Sequence, residues 1–464
     1  MQSPREILAD LWTSIGGEAS ALDALTLTGD EPQLPSSFRV AAAAQVGVAA
    51  TGLAAAGIWK MRSGEAQDVA VDMRHAVVEC RSERYLRVDG KPPPPAWDAI
   101  AGVYNTRDGF VRLHTNFPHH RDAVCKVLNC KPERDAVQAA LMQWDGEPFE
   151  TAAYAGGCVV AFMRSHGQWS ATPHAKALAG LPLISITKIG DAAPKPWPKG
   201  ERPLAGIRVL DLSRVIAGPV AGRTLAAHGA DVLLISGPEL PAIPWLTIDT
   251  GRGKLTSFVE LKNEQGRATL RGLLAQADIF SQGYRPQAIA SLGFSPEDAA
   301  RINPGIIYVT LSAYGAAGPW AERRGFDSLV QTATGFNHAE GEAAGVDGPK
   351  ELPAQILDHA TGYFMAFGAM MAKARQAREG GSWHVQVSLA QTGRWLWNLG
   401  RVTGGLDTRD LTEEAVAPFI EEVGSGFGAL RSVRHAAILS KNPAFWDRRA
   451  MPLGSHPPQW PPPA

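Results

Sequence analysis

Residues 203–400 alternate short β-branched runs with Ala/Leu-rich stretches, and this alternation restricts the possible folds more than any other feature of the chain. The run 207–212 (IRVLDL) reads as a strand and is followed by the turn AGPVAG. An Ala/Leu-rich helix then stops at Gly229, and 231–235 (DVLLI) forms a second strand. Strand, helix and strand within ~30 residues is the spacing of a βαβ unit with parallel strands. Helices predicted at 266–276 and 286–292, with strands at 278–281 and 306–312, continue the pattern. The expectation is an α/β fold: a Rossmann-like, mostly parallel sheet with helices on both faces.

At 464 residues the chain exceeds the ~250–300 that one hydrophobic core serves, so a second domain is expected. Proline-rich stretches at 91–95 (KPPPP) and 194–203 (PKPWPKGERP) break it. Four parts result: a helix–strand segment over 1–90, a smaller α+β domain over 96–190, the Rossmann-like domain over 203–400, and an extended tail over 401–464 that ends in PPQWPPPA. Within 96–190, residues 104–113 read as a hairpin around Asp108-Gly109, followed by helices near 121–128 and 135–142.

Lys plus Arg total 45 against 46 Asp plus Glu, a net charge of −1, which gives no global field for nucleic acid or an anionic membrane. No run of 18 apolar residues suggests a membrane span, and the start, MQSPREILADLW, lacks the order of a signal peptide. The four cysteines (Cys80, Cys125, Cys130, Cys158) form no CxxC pair and read as reduced thiols of a cytoplasmic protein.

An internal repeat adds a second constraint. With a shift of 316 positions, SFRVAAAAQVGVAATGLAAAGIWKMRSGEAQDVAVDM lies on QILDHATGYFMAFGAMMAKARQAREGGSWHVQVSL. Gly52 then meets Gly368, Arg62 meets Arg378, Gly64 meets Gly380 and Val69 meets Val385. Each copy reads as a small-residue helix, an Arg-x-Gly stop and a strand. Where the second copy has Asp358, the first has Ala42.

Asp358 stands between an extended stretch (LPAQIL) and a helix. It is either an N-cap, accepting a backbone N–H in the favourable field of the dipole, or a nucleophile at the mouth of a small-residue helix. The two roles compete, because capping bonds lower a carboxylate's pKa and its nucleophilicity. Gly362 would leave room for a thioester to approach. The turn after the first strand has Gly218 and Gly222 but no G-x-G-x-x-G, and the second strand ends at Ser236 rather than an acid, which argues against NAD. A helix start there suits a phosphate-bearing ligand. His119, His120 and His359 lack metal-ligand spacing and are expected at the surface or in hairpins, so no metal is expected. Ser213 and Ser312 lack a G-x-S-x-G elbow. Arg214, Arg223, Arg252, Lys254 and Arg285 recur at strand ends, either as a solvated face or as contacts for phosphates.

Three stretches carry a family resemblance. PLAGIRVLDLSRVIAGPVAGRTLAAHGADVLLI resembles the opening of the class III CoA-transferases, the CaiB/BaiF-type family. ADIFSQGYRPQAIASLGFSPEDAARINPGIIYVTLSAYGAAGPW is similar to the family's next signature, and LDHATGYFMAFGAMMAKARQAREGGSWHVQVSL resembles the stretch that opens with its catalytic aspartate. They keep the family order across nearly all of 203–400. Residues 39–190 look like the part that follows the catalytic helix in the family, so the order is permuted, or a fused pair has kept one aspartate and lost the other at Ala42.

The resemblance implies a CoA-transferase in which Asp358 attacks an acyl-CoA thioester and passes through an aspartyl anhydride and an aspartyl-CoA thioester. Coenzyme A thioester is then the substrate and no cofactor is permanently bound. Val215 and Ile216 would line the CoA arm, Arg285 would meet its phosphates, and Arg252 and Lys254 match the family's N-R-x-K stretch. Ser236 and Gly237 stand where an acid and an arginine are usual. Phe326-Asp327 replaces the His and Asp of the racemase branch, which disfavours racemase activity. Expected partners are an acyl-CoA, a carboxylic acid and a second copy in an interlocked homodimer, unless one chain supplies both halves of the ring. No nucleic acid or membrane partner is expected. The alternatives are an acyl-CoA racemase or isomerase, or a non-catalytic CoA-binding protein.

Overall fold

The structure is a computed structural model that describes residues 1–462; residues 463 and 464 of the predicted tail lie outside the described residues. Its main sheet contains β1 (Ser185–Gly190), β2 (Arg208–Leu212), β3 (Asp231–Ser236), β4 (Lys254–Phe258), β5 (Ile279–Gln282), β6 (Ile307–Ser312) and β7 (Ser382–Ser388). Across the sheet they run β4-β3-β2-β5-β6-β7-β1, all parallel except the edge strand β1. The six parallel strands therefore follow the doubly wound order 3-2-1-4-5-6. Helices cover both faces, as the α/β pattern predicts. The order reverses between β2 and β5, and a crevice opens beyond their carboxyl ends.

The repeat folds as two 24-residue helices, Val40–Ser63 and Ile356–Glu379, whose first and last residues are each 316 positions apart. Each ends at a glycine with positive φ, Gly64 at 79° and Gly380 at 70°, which a side chain would resist. Small residues let the helices touch: a Cβ on Gly47 would lie 3.3 Å from Tyr363. Val40–Ser63 is also long and apolar enough to cross a membrane, because Gly, Thr and Gln break its apolar run without making it polar. That 18-residue window is 94% buried here, so the helix serves as core.

The likeness extends to how the helices begin. Glu31 Oε1 accepts the Ala42 N–H at 3.0 Å, and Asp327 Oδ2 accepts the Asp358 N–H at 2.9 Å. Each helix thus takes its cap from a carboxylate upstream, satisfying an amide that has no partner within the helix.

Strands Gly102–Asn105, Phe110–Leu113 and Val160–Phe162 lie with short helices in a smaller α+β unit, whereas Ser185–Gly190, predicted to belong to that unit (96–190), is the edge strand β1 of the main sheet. The tail departs from the extended form predicted for 401–464. Ile420–Ser425 and Gly428–Val433 form a hairpin paired with Arg87–Val88, and Ile438–Leu439 joins Val69–Ala70. Burial of Leu430 and Val433 drives this docking, and Trp460 is held by its Nε1–H donating to the Leu273 carbonyl at 3.0 Å.

Candidate active site

The crevice at the reversal point holds a cavity of about 330 Å³. The turn after β2 supplies Arg214, Val215 and Ile216, and the residues after β5 supply Tyr284 and Arg285. The end of β6 adds Leu311 and Ser312, and Asp358 lines the wall from its long helix. Phe117, His119 and His120 of the small α+β unit also line it. Val215 has φ 72°, a left-handed conformation that a β-branched residue adopts only under strain of about 1–3 kcal/mol. The strain turns the chain sharply from β2 into the helix Ala217–Ala227.

Gly362 differs from its expected role. A Cβ there would sit 2.5 Å from the Ala217 carbonyl oxygen and 2.9 Å from Val220 Cβ. Its bareness lets the two helices touch and brings the turn beside Asp358; it does not make room for a ligand.

Asp358 is only 7% exposed and lies in the first helical turn. It is not the cap. Asp327 takes that role, and the Asp358 carboxylate accepts no hydrogen bond among the described residues. Burial raises its pKa well above the ordinary carboxylate value, and the charges of Asp327 and Glu83 raise it further. Asp327 is raised too, chiefly by burial, against the opposing bonds from the Asp358 N–H and the Gln331 amide. Glu83, from the 1–90 segment, approaches His359 Nε2 at 3.2 Å; that contact lowers the Glu83 pKa although burial opposes it.

This arrangement fixes a pH dependence. A raised pKa keeps Asp358 protonated below it, so a reaction that used its carboxylate as a nucleophile would speed up with pH through an inflection above about 4, the usual carboxylate range. Asp327→Asn keeps an oxygen for the cap and removes the neighbouring charge. It should move that acid limb of the kcat/KM profile to lower pH. An unmoved limb would show that the two carboxylates are uncoupled.

Asp358 is the only acid lining the cavity among the described residues, whereas Arg214, Arg285, Arg323 and Arg324 all reach it. Arg214 lies over the Phe117 ring at 5.0 Å, and Arg323 sits 3.5 Å from Glu150. Burial and the nearby Arg324 and Arg214 depress both adjacent histidines, His120 to about 3, so they are neutral near pH 7. The cavity is cationic, which suits a polyphosphate ligand.

Of the residues expected from sequence, the structure gathers Asp358, Val215, Ile216 and Arg285 at this cavity. Arg252 and Lys254 are elsewhere. Lys254 is fully buried, donating to Asp211 Oδ2 and the Pro219 carbonyl at 2.9 Å each, and so props the turn from beneath. Gly222 makes space for that pair, since a Cβ there would lie 2.5 Å from Asp211 Oδ2. Arg252 is buried against Asp249, Ser432 and the Val433 carbonyl. Neither cation is free for a phosphate. Two of the three histidines expected at the surface are inside, His120 at 4% and His359 at 1% exposure, whereas His119 is exposed as expected. Sequence reasoning missed Phe117, Arg323, Arg324 and the capping role of Asp327. Only the adjacent arginine pair just before Phe326-Asp327 offered a signal.

A family model for CoA-transferase family III matches residues 204–409. The chain is similar to the acetyl-coenzyme A transferase nodX of Hypoxylon pulicicidum, 28% identical over 325 residues, which covers 64% of this chain and 54% of that protein. It is also similar to an acyl-CoA transferase of Gibberella moniliformis, 26% identical over 419 residues, covering 80% of this chain and 73% of the relative. Among solved structures, that of Rv3272 from M. tuberculosis is 32% identical, with a TM-score of 0.40 over 43% of this chain and 59% of that one. The chain thus spans little more than half the length of the first of these relatives. The part of the chain that matches CoA-transferase family III, residues 204–409, holds the parallel strands, most of the crevice and Asp358.

Proposed function

We propose that the chain is a CoA-transferase that moves CoA from an acyl-CoA to a free carboxylic acid, with Asp358 as the nucleophile. One observation carries this reading: a buried carboxylate stands at a cationic crevice while a second carboxylate, Asp327, performs the capping that would otherwise blunt it. The Asp358 carboxylate attacks the thioester carbonyl and expels CoA thiolate, leaving a mixed anhydride. The thiolate then attacks the aspartyl carbonyl, releasing the donor acid and forming an aspartyl-CoA thioester. An acceptor carboxylate reverses both steps and restores Asp358. Each tetrahedral oxyanion needs fixed N–H donors, and the start of the helix Ala217–Ala227, whose Ala217 lines the cavity, is a source of amides without helical partners.

The arginines around the cavity suit the CoA phosphates. Phe326, stacked on His114 at 3.8 Å, offers no proton acceptor where racemisation would need one. We place this activity in the cytoplasm. The small unit of the same chain contributes Phe117, His119 and His120 to the cavity, and a homodimer remains part of this reading.

Hydroxylamine tests the reading. With a panel of monocarboxylic and dicarboxylic acyl-CoAs, the enzyme should lose activity in a turnover-dependent way and carry a hydroxamate on the Asp358 peptide, detected by mass spectrometry. Protein that binds CoA yet forms no hydroxamate with any donor would exclude the covalent route.

A further inference from the structure

The helix Pro118–Leu128, which brings His119 and His120 to the cavity, ends in an arrangement that pairs two cysteines. Asn129 adopts a left-handed conformation at φ 50°. The Cys130 N–H donates to the Cys125 carbonyl at 3.1 Å, and the Asn129 N–H donates to the Lys126 carbonyl at 3.4 Å. These two bonds define a Schellman end, in which the side chains of the residues occupied here by Cys125 and Cys130 meet. Both cysteines are partly exposed, whereas Cys80 and Cys158 are buried.

From this geometry we propose that Cys125 and Cys130 are a site of reversible disulfide formation that clamps the end of the helix Pro118–Leu128. A small-molecule disulfide such as oxidised glutathione is the oxidant. One thiol of the pair, losing its proton to water, attacks that disulfide and releases one glutathione thiol. The other thiol, also losing its proton, attacks the protein sulfur of the mixed disulfide and displaces the second glutathione. Two protein thiols are oxidised and one glutathione disulfide is reduced to two thiols. Burial raises both thiols above their ordinary pKa, so exchange should be slow at neutral pH and faster in mild alkali. The turn is already fixed by its backbone bonds, so the bond closes a loop that the reduced chain has formed. This inference does not depend on the transferase reading.

The test equilibrates the full chain with excess oxidised glutathione, blocks the remaining thiols by alkylation, and maps peptides under denaturing conditions. Two of the four thiols should disappear, with Cys125 linked to Cys130 and four thiols restored by reductant. In Cys125→Ser the internal link should be absent and Cys130 should carry one glutathione. In the oxidised wild type, amide exchange over 118–130 should slow by about tenfold or more. Four free thiols, a mixed disulfide that never resolves, or a link to Cys158 or Cys80 would overturn the proposal.

Discussion

Replacing Asp358 with alanine is expected, on the proposed mechanism, to lower the rate of CoA transfer by about 10⁴-fold or more, because no other acid lines the cavity among the described residues. The other carboxylate of the pair, Asp327, is occupied by the Asp358 N–H and by Gln331. Asp358→Asn should fail equally, since an amide of the same shape is not a nucleophile at this step. Both variants should bind CoA within about threefold of wild type, because the cations around the cavity are untouched and one opposing charge is gone. Steady-state exchange between an acyl-CoA and a labelled acid, beside calorimetric CoA binding, separates the two effects. A variant without Asp358 that turns over normally would remove the basis of the assignment.

Arg223→Ala is expected to have the largest effect on stability, a loss of about 3–5 kcal/mol, from leaving buried anions without their partner. Arg223 is fully buried, and its Nη1 donates to Asp249 Oδ2 at 2.7 Å and to Ser82 Oγ at 3.1 Å, with Glu79 3.9 Å away. Arg252 still holds Asp249, and the Ala436 N–H and His435 still hold Glu79, so the anions are not wholly abandoned. Arg223 Nε and Nη2 have no partner among the described residues, so truncation also removes two unsatisfied donors. Both considerations favour the lower end of that range. The network joins the 1–90 segment, the sheet domain and the tail, so urea unfolding should show a lower midpoint for all three together. Arg223 and its neighbours hold the pKa values of Asp249 and Glu79 below the ordinary range. Their stabilisation is therefore present above about pH 4.5 and lost as pH falls toward the folded-state values. Arg223→Ala should flatten that acid-side decline.

How much of this was legible depended on whether the signal was local. Strand–turn–helix alternation marked β2, β3, β5 and β6, and the repeat marked both long helices and their glycine stops, although Ile356 and Leu357, read as extended, already belong to the second helix. The strand β4, KLTSF, was hidden because half of it is polar, although Lys254, Thr256 and Ser257 are buried through their bonding partners. The edge strand β1 precedes the domain it completes, and nothing local announces its antiparallel pairing. Asp358 could be picked out, but whether it capped its own helix could not, because the competing carboxylate lies 31 positions upstream. Arg252 and Lys254 sit at the right places in the motif and still face inward, since ion pairing with Asp249 and Asp211 depends on tertiary partners. The small unit's contribution to the cavity is likewise a long-range contact.

The pairing of Val40–Ser63 with Ile356–Glu379 also governs how the protein must be made. The first of these helices leaves the ribosome some three hundred residues before its partner. Until then it can pack only against its own segment, chiefly Pro4–Ser14, Val69–Asp72 and Met73–Glu79, and the face that meets Ile356–Glu379 stays uncovered. Synthesis should therefore pass through a stage that depends on holdase protection, and a pause between the two halves should favour aggregates seeded by the early helix.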